Sequence, residues 1–161
     1  MTQLVIVYHS RTGGSRQMAE AACHAASAET ETRLLTADEA TPDDLLNASG
    51  YLFCAPENLA ALSGAMKEFF DRCYYPLLGR IEGRAYAQMI CAGSDGTNAA
   101  RQLARIATGW RLRAVQEPLI IGTHAQTPEA ILAPKTLSDA DLAPCRDLGQ
   151  ALAAGLAMGA F

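Results

Sequence analysis

The sequence predicts a doubly wound α/β domain, and three observations carry that prediction. Five stretches of strand-forming residues alternate with helical patterns. The inner strand stretches are continuous apolar runs, as expected of parallel strands buried on both faces. The links are short and none resembles an interdomain linker, so residues 1–161 are expected to form a single domain.

The elements follow in order. Leu4–Tyr8 is a short apolar run of β-formers, suited to a central strand. A small-residue loop, Ser10–Ser15, leads into a helix over Arg16–Glu29, whose alanines allow close approach to a sheet. Thr30–Leu35 is more polar and reads as an edge strand. Thr41-Pro42-Asp43-Asp44 supplies a cap, a first-turn proline and early carboxylates, and so starts a short helix. Tyr51–Ala55 is a buried strand, expected to stop at Pro56. In Ser63–Tyr74, Met66, Phe69, Phe70 and Cys73 follow helical spacing, with charged residues opposite.

Ala85–Cys91 is the next strand, followed by a turn at Gly93–Gly96 and a helix over Ala99–Trp110 with Trp110 facing inward. Leu112–Ile121 contains Pro118, which lacks an amide donor, so this strand is expected at an edge or with a bulge. Ser138, with Asp141 three residues on, opens the last helix as a capping-box pair. Edge character in the second and fifth strands gives a five-stranded parallel sheet in the order 2-1-3-4-5. The ligand crevice of such a sheet lies beyond the carboxyl ends of strands one and three.

Composition narrows the function. The chain is 50% hydrophobic and 19% charged, with a formal net charge of -4. It has no dense Lys/Arg stripe, which argues against a nucleic-acid partner. No apolar run is long enough for a membrane span, and the first ten residues lack a secretory pattern. Cysteines 23, 54, 73, 91 and 145 are odd in number and form no C-x-x-C pair. They read as reduced thiols, and a cytoplasmic location is the expectation. The three histidines are too scattered for a metal site.

The chemistry is expected at Ser10-Arg11-Thr12-Gly13-Gly14-Ser15, between a strand and a helix. Three hydroxyls can donate to phosphate oxygens. The glycines let backbone amides come close, and the helix start adds unpaired N–H groups. Arg11 either adds charge at the rim or points to solvent. Neither G-x-x-x-x-G-K-[ST] nor G-x-G-x-x-G is present, so neither a triphosphatase loop nor a dinucleotide fingerprint is supported.

This loop resembles the flavodoxin pattern [ST]-x-T-G-x-[ST] for the phosphate of flavin mononucleotide (FMN). Ala55-Pro56-Glu57-Asn58-Leu59, followed by Ser63-Gly64-Ala65-Met66-Lys67-Glu68-Phe69-Phe70-Asp71-Arg72, resembles the second flavin loop and helix of NAD(P)H-dependent flavin reductases. The resemblance spans nearly the whole chain and implies a flavodoxin-like three-layer sandwich with FMN as cofactor. It implies that Ser10, Thr12, Gly13 and Ser15 hold the phosphate, with Arg11 beside them. Pro56, Glu57, Asn58 and Leu59 would border the ribityl chain and the ring, and Gly93, Ser94, Asp95 and Gly96 would close the other edge. The sequence departs from the reductase pattern at Glu57–Ala61, where that group often carries an aromatic and a glycine.

Other residues stay open at this level. Asn58 can donate to and accept from a ring, or cap a turn. Asp95 can equally be a turn former. Tyr74 or Tyr75 can flank the cofactor, pack the core or form a dimer surface. His124 can approach the ring or lie in a solvent-exposed loop. Because a flavin supplies its own redox chemistry, no catalytic side chain is required. The expected function is an FMN-dependent oxidoreductase, passing electrons from NAD(P)H to a quinone, flavin or other small-molecule acceptor, with a homodimer or homotetramer open as its assembly. The alternative is a flavodoxin-type electron carrier served by a protein electron donor.

Overall fold

The computed structural model describes residues 1–161. The strands are β1 (Gln3–Tyr8), β2 (Glu31–Thr36), β3 (Gly50–Asn58), β4 (Ala61–Leu62), β5 (Ala85–Ala92), β6 (Arg113–Ala114) and β7 (Leu119–Gly122). The helices are α1 (Gly14–Ala26), α2 (Pro42–Leu46), α3 (Gly64–Leu77), α4 (Thr97–Gly109), α5 (Pro128–Leu132) and α6 (Asp139–Ala157). The main sheet is parallel in the order β2-β1-β3-β5-β6. This is the doubly wound sandwich, in the strand order expected from the sequence.

Side-chain alternation splits the core into two layers. Val5, Val7, Tyr51, Phe53 and Ala55 face α3 and α4, where Phe53 lies 5.1 Å from Phe70 and 6.3 Å from Trp110 between ring centroids. Leu4, Ile6, Leu52 and Cys54 face α1 and α6. There the two helices touch at backbone level: a Cβ on Gly149 would lie 2.4 Å from the Ala22 carbonyl oxygen.

Four local expectations are corrected. Pro56 does not stop its strand: β3 runs on to Asn58 and turns back as an antiparallel hairpin with β4. The Cys54 carbonyl accepts from His9 N, where β1 ends. Pro56 points to the same side beyond that end, so its missing N–H breaks no ladder bond. The fifth strand is two pieces, β6 and β7, each paired to β5 and separated around Pro118. Helix α1 begins at Gly14, because Gly13 takes the left-handed conformation (φ 99°) and caps it. At α6 the Ser138 hydroxyl accepts from Asp141 N, but the reciprocal bond is missing; the complete capping box is at Thr41 and Asp44.

Candidate functional site

The loops after β1, β3 and β5 meet at the carboxyl edge of the sheet, where Tyr8 pairs with Cys54 and Pro56 with Cys91. A cleft opens there. The first loop lines it with Ser10, Arg11, Thr12, Gly14 and Ser15, and the second with Pro56, Glu57 and Asn58. Of the third loop, Gly93 lines it together with Cys91 and Ala92 of β5.

The first loop is built as a nest of donors. The αL turn at Gly13 is steadied by Gly13 N donating to Ser10 Oγ (3.0 Å). The backbone amides of Arg11, Thr12, Gly14, Ser15 and Arg16 donate to no protein group. Three of these belong to the first turn of α1, whose N–H groups have no partner within the helix. The Ser15 hydroxyl is buried with no hydrogen-bond partner, although the residue is only 2% exposed. Leaving such a group unpaired costs about 1–3 kcal/mol. Gly14 is held so close to Cys91 that a Cβ would fall 2.6 Å from its Sγ. The strand-one loop is therefore pressed onto β5.

The second loop is the β3–β4 hairpin. Leu59 and Ala60 at its tip both have positive φ (49° and 60°), a conformation that disfavours side chains. Asn98 Nδ2 donates to Ala60 O (2.6 Å) and Gln102 Oε1 accepts from Leu62 N (2.7 Å), so α4 holds the strained turn in place. Leu59 is fully exposed at this tip and does not line the cleft.

The remaining expected site residues lie apart. Gly13 is in the loop but faces a neighbouring groove. Ser94, Asp95 and Gly96 sit outside the lining: Asp95 accepts from the Thr97 hydroxyl (2.8 Å), and Gly96 caps α4 at φ 82°. Tyr74 and Tyr75 border a separate groove with Trp110, and His124 is exposed and does not line the cleft. His9 Nδ1 pairs with the buried Ser63 Oγ (2.9 Å). Burial holds the His9 pKa below its ordinary value; Asp38 opposes this and Arg11 reinforces it.

Sequence reasoning missed the fourth wall. The segment between β7 and α6 folds over the cleft and lines it with Thr123, Ala125, Ile131, Leu132 and Lys135. Lys135 Nζ donates to Ala133 O (2.6 Å), Ile131 O (2.9 Å) and Thr12 Oγ1 (3.3 Å). Burial pushes the Cys91 thiol up to about 11 despite the opposing pull of the Lys135 ammonium. The one available sequence signal was rarity, since the chain has only two lysines, Lys67 and Lys135.

No family model matches the chain. Among solved structures, an archaeal flavodoxin superposes with a TM-score of 0.78, covering 96% of this chain and 99% of that one at 17% identity. The fold is that of a flavodoxin. The flavodoxin, WrbA-like protein from Agrobacterium tumefaciens shares this flavodoxin-like fold, with a TM-score of 0.73, 99% coverage of both chains and 21% identity. In sequence, the chain is 36% identical over 98 residues to a protein named flavodoxin from Aquifex aeolicus (strain VF5). That match covers 60% of this chain and 53% of the relative, so it spans about half the relative's length. No helix of this flavodoxin-like chain is long and apolar enough to cross a membrane.

Proposed function

We propose that this chain is an FMN-binding electron-transfer protein of the flavodoxin type. The observation that carries the proposal is the donor nest at the strand-one switch point: five free amides and a buried hydroxyl without a partner. A phosphate monoester dianion is the ligand class such a nest fits, because it accepts from many donors at once and is favoured at a helix start. Gly14 sets this loop directly against β5, since a Cβ there would meet Cys91 Sγ at 2.6 Å.

The cleft has a cavity volume of about 120 Å³. That is below the roughly 300–1,000 Å³ of a pocket that swallows a whole drug-sized ligand. The phosphate and the polyol chain would fit inside, and the ring would lie across the mouth. Pro56, Glu57 and Asn58 would wall one side there and Gly93 the other. The strained Leu59-Ala60 turn stands at the rim, where strained backbone often marks a working site. Bound there, a flavin would take up and release one or two electrons by its own chemistry, while the protein's part is to hold it and tune its environment.

The electron-carrier reading is preferred to direct oxidation of NAD(P)H because the relative matched in sequence is a protein named flavodoxin. In the stretch that resembles flavin reductases, Ser63–Arg72, the charged side chains bond within the protein. Arg72 donates to Ala37 O and Ala40 O (both 2.7 Å), and Lys67–Asp71 and Glu68–Arg72 are ion pairs along α3. The deciding experiment is the visible spectrum of the purified protein, with the chromophore identified after release. A colourless preparation should take up added FMN stoichiometrically. Failure to take it up removes the proposal. Rapid turnover of NADH or NADPH by the FMN-loaded protein with small acceptors would replace the carrier reading with a reductase.

A further inference from the structure

The segment Thr123–Leu137 is anchored on both sides of the cleft. On the β5 side, Thr123 N donates to Ala92 O (2.8 Å) and Gln126 Nε2 to Gly93 O (3.1 Å). On the α1 side, Lys135 N donates to Thr12 O (2.7 Å). Gln17 then clamps the segment: its Nε2 donates to Gly13 O (2.7 Å) and Lys135 O (2.8 Å), while its Oε1 accepts from Leu137 N (3.0 Å). The strap thus carries one half-buried cation to the edge of the donor nest.

We propose that Lys135 is the counter-charge for the ligand's phosphate, so that the site selects a phosphorylated flavin over riboflavin. This rests on the reading of the cleft as an FMN site and adds to it a residue from outside the three loops.

The ammonium is pre-organised for that role. Two of its three protons are fixed on strap carbonyls, Ile131 O and Ala133 O. The third is on Thr12 Oγ1 at 3.3 Å, its longest contact and the only one inside the nest. A phosphate oxygen arriving there would take over that third proton. Thr12 would then keep its own hydroxyl proton to donate to the same phosphate. A positive charge held beside bare amides adds its own attraction for a dianion and does little for an uncharged polyol. Arg11 is the other cation lining the cleft and Glu57 the carboxylate opposing them, and neither forms an ion pair.

The test compares the wild-type protein with Lys135→Met, which keeps the packing of the stem beside Gly14 but removes the charge. Lys135→Gln serves as a second charge-free variant should the first not fold. FMN and riboflavin are titrated against each by flavin fluorescence, with circular dichroism as the check on folding. The expected result is about a 10- to 100-fold loss of FMN affinity, the loss of one charge-assisted hydrogen bond, with riboflavin affinity unchanged within twofold. The FMN affinity of the wild type should also fall more steeply with salt than that of the variant. Equal FMN affinity in wild type and variant overturns the assignment of Lys135 while leaving the flavin site intact. An equal loss for both flavins also overturns it, because the strap would then be structural. A wild-type protein that binds neither flavin overturns the flavin reading and this inference with it.

Discussion

Ser15→Ala should move folding and binding in opposite directions. In the free protein the Ser15 hydroxyl is buried, lies in the first turn of α1 and has no partner. Deleting an unsatisfied buried hydroxyl relieves a penalty of about 1–3 kcal/mol. For a chain of this length each kcal/mol moves the melting temperature by about 2–4 °C, so the ligand-free variant should melt roughly 2–12 °C above wild type. In the complex the same hydroxyl would donate to a phosphate oxygen. A hydrogen bond to a charged group contributes about 1.5–3 kcal/mol, which is roughly 10- to 100-fold in affinity. Thermal melts of the ligand-free proteins and FMN titrations of both check the two halves. A variant that melts below wild type would show that the hydroxyl already has a partner in the free protein. An unchanged FMN affinity would refute the phosphate site itself.

Three further outcomes are expected. Gly14→Ala puts a methyl 2.6 Å from Cys91 Sγ and should cost about 1–3 kcal/mol in urea unfolding. In the double variant with Cys91→Ala the next atom is 3.8 Å away, an ordinary contact, so much of that loss should return as a coupling of about 1 kcal/mol or more. Gly149→Ala drives a methyl into the Ala22 backbone at 2.4–2.9 Å. It should destabilise by roughly 2 kcal/mol despite a helix-propensity gain of nearly 1, read from the urea midpoint. His9 has a folded pKa below 6.5, chiefly through burial, so the unfolded chain binds the extra proton first. Stability should therefore fall as pH drops below about 6.5 and level off beneath the folded pKa, and His9→Asn should flatten that slope in pH-dependent melts.

The parts legible in sequence share one physical property: their signal is local. Continuous apolar runs such as Leu4–Val7 announce strands buried on both faces, and these residues are completely buried in β1. Thr41 and Asp44 announce a helix start from side chains three residues apart, and both reciprocal bonds form. The hydroxyls and glycines of Ser10–Ser15 announce a donor nest, because its backbone geometry is set within six residues.

The features that escaped depend on what lies across the cleft. Pro56 stays in a strand only because β1 has already ended beside it. The hairpin tip at Leu59 and Ala60 holds a left-handed turn without glycine, and Asn98 and Gln102 of α4 brace it from some 40 residues away. Lys135 reaches Thr12 across 123 residues of chain, and no pattern within the Thr123–Leu137 segment records that meeting.

The sequence by itself determined the layered fold, the strand order and the donor loop, since periodicity, capping and turn chemistry act between near neighbours. The tertiary structure decided which groups face the nest and what covers it. Those placements come from packing distant segments against one sheet edge, where the energy lies in contacts between residues far apart in the chain.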